Sequence, residues 1–253
     1  MSINFDKAKK YIGSCCGNSF IILDCRNINV DKQQKSDFSK KNIIKYNVDS
    51  ALFIGDVKGF DISIEIFEKD GSESDSCGNG LLLVTYLLGL NKGKVKMKGG
   101  SVIIEGNSEK QAILIDIKLS DVKEINSEKN CLFIRVGEPH IIFLVGDFNS
   151  FDLIATGEKL QRNYLGGVNV DVIKKIDDLH FLIKTYERGV FNETKSCGTG
   201  SLSSYVAISH FYNKMYEYPV EFKSSGGIHL VSKIGDMLKL ETLKKFCEIK
   251  ALD

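Results

Sequence analysis

Ser196-Cys197-Gly198-Thr199-Gly200-Ser201 decides the reading of this chain, because Ser76-Cys77-Gly78-Asn79-Gly80 repeats it earlier. In both copies a single cysteine stands at the mouth of a glycine turn, and each turn opens an apolar segment of helical length. The match extends upstream, where Glu73 and Glu193 each precede their cysteine by four residues. The two cysteines lie 120 positions apart in a chain of 253 residues. Two equivalent thiols at two equivalent helix starts predict a site built between two halves, with one thiol from each.

The same spacing of 120 places Gly17 on Gly137, Ile21-Ile22 on Ile141-Ile142 and Val48 on Val168. The alternating run Ile62 to Phe67, with the period of a half-buried strand, has its counterpart in Leu179 to Tyr186. Gly99-Gly100 and Gly226-Gly227 sit late in each half, 127 apart, each ahead of a strand. A register held across several elements points to a duplicated domain rather than chance. The expected division is 1–122 plus 244–253 for the half carrying Cys77, and 123–243 for the half carrying Cys197. Leu238 to Leu252 is expected to end the chain as a strand returning to the first half.

Within the first half, a turn at Gly17-Asn18 precedes a strand at Phe20 to Asp24, and Asp31 to Lys45 reads as helical. Strands follow at Val48 to Ile54, Ile62 to Phe67, Val95 to Glu105 and Gln111 to Leu119, the last two around Gly106-Asn107-Ser108. The segment after Cys77, Gly80-Leu-Leu-Leu-Val-Thr-Tyr-Leu-Leu, is apolar on nearly every side, so its helix must be enclosed. The fold class is therefore α+β, with two pseudo-symmetric halves, each an antiparallel strand barrel around a central buried helix.

Composition narrows the function. A hydrophobic content of 43% with 26% charged residues is that of an ordinary globular chain. A net charge of +1 gives no basic field for nucleic acid or anionic membrane. The segment MSINFDKAKK lacks the apolar core of a signal peptide, and no run approaches a membrane span. Seven cysteines without Cys-x-x-Cys spacing argue against a disulfide framework and against a zinc or other metal site. A reducing cytoplasm is the expected location.

A helix N-terminus presents N–H groups outside the ladder and about half a positive charge. Such an end holds a carboxylate and lowers the pKa of a nearby thiol. Two such ends converging on an amino acid would hold its α-carboxylate while one sulfur flanks each face of the α-carbon. One thiolate then takes the α-proton and the opposite thiol returns one, which is stereoinversion by general acid–base catalysis. No cofactor is needed, and no lysine motif for pyridoxal phosphate is evident. A lone cysteine before a helix is usually just a small buried residue; the matched pair reverses that balance. Cys15, Cys16, Cys25, Cys131 and Cys247 are expected to be structural, and Cys16-Gly17-Asn18 imitates the motif but leads into a strand.

These residues closely resemble the diaminopimelate epimerase family. Ser-Cys-Gly-Asn-Gly at 76–80 and Glu-Thr-Lys-Ser-Cys-Gly-Thr-Gly at 193–200 match its two signatures. Gly17-Asn18-Ser19-Phe20, Asp70-Gly71-Ser72-Glu73, Pro139-His140 and Glu187-Arg188-Gly189 match its other landmarks. The resemblance implies two strand barrels around central helices, often in a homodimer, acting on a small-molecule amino-acid substrate without a cofactor. It implies Cys77 and Cys197 as base and acid, with Asn18 and Glu187 on the α-amino group. Backbone N–H groups of Gly78, Asn79, Gly198 and Thr199 would hold the α-carboxylate, Asn169 and Arg188 the distal end, and His140 would sit near the thiols. Three positions depart from the pattern: Glu68 and Glu138 stand where the family has asparagines, and Ser50 where it has Gln or Gly. The first two fall where the family recognises the distal carboxylate of diaminopimelate. The family substrate thus competes with a single basic amino acid, namely lysine, ornithine, arginine or histidine. A non-catalytic amino-acid-binding relative is the rival of another class.

Overall fold

A computed structural model describes residues 5–116, 123–126 and 130–252. The chain divides into two compact units, Met1–Leu114 with Leu243–Asp253, and Ile115–Thr242.

In the first unit β1 (Lys9–Cys15) and β2 (Asn18–Asp24) form an antiparallel hairpin. Its turn is Cys16-Gly17, one residue earlier than expected, with φ of 50° and 78°. Two positive φ values give the tight turn whose twist matches that of the strands. Cys16 is thereby a buried turn residue, not a helix cap. Helix α1 (Lys32–Tyr46) starts at Asp31, whose carboxylate accepts the Gln34 N–H while Gln34 accepts the Asp31 N–H. That reciprocal box satisfies two backbone donors at once. The helix stops at Asn47, in the left-handed region at φ 51°. It forms the crossover to β3 (Ser50–Gly55), which lies parallel to β2. β4 (Ile62–Phe67) runs antiparallel to β3, and the short β5 (Glu73–Ser74) antiparallel to β4. Helix α2 (Gly78–Leu87) crosses to β6 (Lys92–Met97), parallel to β4. β7 (Gly100–Gly106) and β8 (Lys110–Asp116) complete the ladder as antiparallel neighbours.

The second unit repeats this order. β9 (Lys123–Asn126) pairs with β10 (Cys131–Val136), and β10 with β11 (Glu138–Val145), both antiparallel. Helix α3 (Leu153–Gln161) crosses to β12 (Asn169–Lys175), parallel to β11. β13 (His180–Glu187) and β14 (Asn192–Thr194) follow antiparallel, then α4 (Gly198–Phe211) crosses to β15 (Val220–Lys223), parallel to β13. β16 (Ile228–Ile234) and β17 (Met237–Leu243) close the series. The last strand, β18 (Cys247–Leu252), belongs to the first unit and pairs with β1 from Lys10↔Leu252 to Cys15↔Cys247. It holds beside β1 the place that β9 holds beside β10.

The α+β class and the two-half plan stand, with refinements that alternation cannot reveal. Among the described residues two strand pairs per unit are parallel, each where a helix makes the crossover. The stretch Val95 to Glu105 is two strands rather than one. Gly99 breaks it, because its N–H binds the Asp75 carbonyl and a Cβ there would lie 2.8 Å from that oxygen. Leu238 to Leu252 is likewise divided, by a 3-10 turn at Lys244–Phe246. Of the expected strand Gln111 to Leu119, the end falls outside the described residues.

Helix α2 is enclosed as its sequence requires: Leu81, Leu82, Leu83 and Val84 are fully buried, and the helix packs on β1, β2 and β18. Each such side chain contributes about 1.5–3 kcal/mol of burial. Helices α1 and α3 cover the opposite faces of their ladders. Phe38 on α1 packs edge-on to Phe53 of β3, which meets Phe67 of β4 in the same way. Gly157 on α3 lies so close to the Tyr186 ring that any Cβ would overlap it. No helix among the described residues is long and apolar enough to cross a membrane.

Candidate active site

Both signature cysteines are helix N-caps in extended conformation. Cys77 (φ −146°) caps α2, and Cys197 (φ −134°) caps α4. Each sulfur accepts the N–H three residues on, Gly80 for Cys77 and Gly200 for Cys197, both at 3.4 Å. Sulfur here replaces the oxygen of a Ser or Asp cap, and the glycines keep the first turn open to close approach. Gly78, Asn79, Gly198 and Thr199 are the first-turn residues of the two helices, all buried, with the helix-end N–H groups beside the caps.

In the first unit the Cys77 thiol lies 3.7 Å from Asn18 Oδ1, at the start of β2. Asn18 is steered by Asp49, whose Oδ2 accepts its side-chain N–H (2.9 Å) along with the Ser19 N–H (2.7 Å) and hydroxyl (2.9 Å). Glu68 follows β4 half-buried; its carboxylate accepts the Ser50 hydroxyl at 2.9 Å and the Ser74 hydroxyl at 2.5 Å. Three of the expected residues, Asn18, Ser50 and Glu68, are thus held by polar contacts within this unit. The serine-for-Gln/Gly departure at 50 and the glutamate-for-Asn departure at 68 are partners.

The second unit carries a longer network. Cys197 Sγ lies 3.3 Å from Thr199 Oγ1, and that hydroxyl lies 2.9 Å from His140 Nε2. His140 Nδ1 meets Asp171 Oδ2 at 2.6 Å, and Asp171 Oδ1 accepts the Thr185 hydroxyl at 2.6 Å. Asn169 places its side-chain nitrogen 3.3 Å from His140 Nε2 and accepts the Arg188 N–H at 3.0 Å. The Arg188 guanidinium donates to the Gly166 carbonyl at 3.1 Å and is ion-paired to Glu138. His140 and Asp171 are both fully buried. The histidine is therefore a satisfied core residue and a neighbour of the cysteine at once.

Helix ends are expected to lower a thiol pKa, but Cys197 behaves otherwise. Burial pushes its thiol well above the ordinary value, and the carboxylates of Glu187 and Asp171 push the same way. The Thr199 contact and the Gly200 N–H oppose them and lose. Sequence reasoning did not single out Asp171, Thr185 or Ser74. For Asp171 the signal was present: a lone acid inside the apolar run Val168 to Ile173 that must find buried partners.

The five remaining cysteines are buried. Cys15 and Cys247 lie across the β1–β18 ladder with sulfurs 2.9 Å apart. Burial raises the thiols of Cys25 and Cys131 to about 11 each.

A family model described as diaminopimelate epimerase matches residues 132–239. The protein named diaminopimelate epimerase from Pelagibacter ubique is 32% identical over 76% of this chain and 79% of its own length. Its namesake from Thermotoga maritima is 28% identical over 93% of this chain and 98% of its own. Among solved structures, a probable proline racemase from Agrobacterium radiobacter superposes with a TM-score of 0.65 at 13% identity, covering 98% of this chain and 93% of its own. A putative phenazine biosynthesis PhzC/PhzF protein from Clostridium difficile gives 0.71 at 14%, covering 97% of both. At those identities the superpositions establish the shared fold. The relatives establish more, and the chain belongs to the diaminopimelate epimerase family, a family of isomerases.

Proposed function

We propose that this chain inverts the α-carbon of an amino acid without a cofactor, Cys77 and Cys197 acting on its opposite faces. One observation carries the reading: each unit presents a cysteine as the cap of a buried helix, with the same glycine N–H on its sulfur. A structural cysteine has no reason to occupy that place twice. In the reaction one thiolate takes the α-proton, the freed electron pair moves into the carboxylate, and the opposite thiol delivers a proton to the carbon. The helix-end N–H groups stabilise the charge that gathers on the carboxylate. Burial and the nearby carboxylates favour the protonated form of Cys197, which supports its service as the acid in one direction of the reaction. Both sulfurs must be reduced, which fits a cytoplasmic enzyme, and a homodimer is the assembly the resemblance implies.

Diaminopimelate is the first substrate to assign, since it names the relatives. A second reading has its own observation. Glu138 already occupies the Arg188 guanidinium, and Ser50 and Ser74 fix the Glu68 carboxylate. An arginine so paired is a poor clamp for a distal carboxylate, whereas fixed carboxylates suit a distal cation, as in lysine, ornithine, arginine or histidine. A panel measuring α-deuteration of LL-diaminopimelate against those four decides between them. Turnover of diaminopimelate alone rejects the cation reading, and turnover of a basic amino acid alone rejects the family substrate. Binding without α-deuteration of any would mark an idle binding protein.

A further inference from the structure

The duplicated plan allows the surroundings of the two cysteines to be compared position by position, and the strand layers beneath them differ. β11 pairs with β12 at His140↔Asn169 as β2 pairs with β3 at Phe20↔Ser50. Phe20 is therefore the counterpart of His140, Ser50 of Asn169 and, two residues along the strand, Leu52 of Asp171. The glycines confirm this alignment. A Cβ on Gly80 would meet the Leu52 side chain, and one on Gly200 would meet the Asp171 carboxylate. Beneath Cys77 the strand layer offers a phenyl ring and an isobutyl group. Beneath Cys197 it offers an imidazole and a carboxylate, both fully buried. A buried acid replacing a leucine is costly unless it is fully bonded, and Asp171 is bonded on both oxygens, to His140 and to Thr185.

We propose that Asp171 is a positioning residue that fixes His140 so that Thr199 and His140 together take and return the Cys197 proton. The inference rests on the acid–base role assigned to Cys197 above. An ionised Asp171 requires the His140 proton on Nδ1, which leaves a lone pair on Nε2. Nε2 then accepts the Thr199 hydroxyl at 2.9 Å, with the Asn169 side-chain N–H further off at 3.3 Å, and the Thr199 oxygen is left to accept the Cys197 S–H. When Cys197 must act as base, its S–H bond breaks and the proton passes to Thr199, whose own proton passes to Nε2. The sulfur keeps the bonding pair as thiolate, and the imidazolium faces Asp171. Charge is conserved within the network, and reversal restores the thiol. The charged groups acting on the Cys197 sulfur are Asp171 and Glu187.

The test combines steady-state kinetics with mass-mapped iodoacetamide labelling of Cys77 and Cys197 in the full chain. Asp171→Asn keeps the shape but lets its amide donate to Nδ1, moving the His140 proton to Nε2 and closing the relay. Its kcat is expected to fall about 100-fold, with KM within about twofold. Cys197 is expected to label about tenfold faster near neutral pH, because a repelling carboxylate is gone, while Cys77 labelling is unchanged. Thr199→Val should also lose kcat but label more slowly at Cys197, having lost the hydroxyl that favours the thiolate; Thr199→Ser should restore both. A purely structural Asp171 would move both cysteines together or neither, and either pattern overturns the proposal. If Asp171→Asn does not fold, the opposed behaviour of the two Thr199 variants carries the test. Labelling needs no substrate, so it reports on the relay even if no amino acid is turned over, an outcome that would count against the functional reading alone.

Discussion

At the scale of single residues, the proposed site turns on how its charged groups are paired. Glu138 and Arg188 form the clearest case, since one neutralises the other. Removing the carboxylate in Glu138→Gln frees the guanidinium for a bidentate contact with a distal carboxylate. A hydrogen bond to a charged group is worth about 1.5–3 kcal/mol, so kcat/KM for diaminopimelate is expected to rise about tenfold or more. Steady-state assays on purified variant and parent check this, and an unchanged or reduced value shows that Arg188 does not meet the substrate. The placing of Cys77 and Cys197 at helix starts was legible in the sequence because the glycines that follow them announce the turn. Asp171 was visible only as an acid that needed buried partners; its place beside the cysteine comes from His140 and Thr199, which other elements deliver. The pKa of Cys197 was misjudged for the same reason: the helix end is local, while the burial and the two carboxylates that outweigh it come from the tertiary structure.

At the scale of elements, local rules explain where helices begin and which were visible. α2 could be read directly because Leu81 to Val84 permit no exposed face. α1 has a mostly polar sequence, and its start is written in the Asp31–Gln34 box. Asp31→Ala is expected to cost about 1 kcal/mol in urea unfolding without changing kcat, since α1 lies on the face of the ladder away from α2. Gly157→Ala drives a methyl into the Tyr186 ring and is expected to cost about 1–3 kcal/mol. A smaller loss would show that α3 lifts freely from β13. Strand boundaries were less legible. Gly99 ends a strand because of the Asp75 carbonyl, a partner that alternation cannot reveal. The spacing of 120 holds for the hairpins and capped helices but slips by one residue at β3 and β12, where Ser50 answers to Asn169. Connections between elements absorb single deletions without disturbing either motif.

At the scale of the whole molecule, buried thiols set an alkaline limit on stability. Cys25 and Cys131 titrate at about 11 in the native chain because burial disfavours the thiolate, against an ordinary value of 9.0. Their folded values are raised, so the contribution is fully present below pH 9 and is lost as pH climbs toward 11. Each accounts for about 2 kcal/mol over that window. Urea unfolding at stepped pH should show the loss, and Cys25→Ser with Cys131→Ser should make it shallower; a curve of unchanged slope in the double variant contradicts the assignment. The central claim concerns both units together, that Cys77 and Cys197 are the two bases of one inversion. Its most direct test is α-deuteration in D2O from a single stereoisomer, followed by mass spectrometry at early times. Two bases predict deuterium in the inverted product while remaining substrate stays protonated, with inversion abolished in both Cys77→Ala and Cys197→Ala. Inversion at the parent rate in both variants, or substrate labelled as fast as product, would contradict the account.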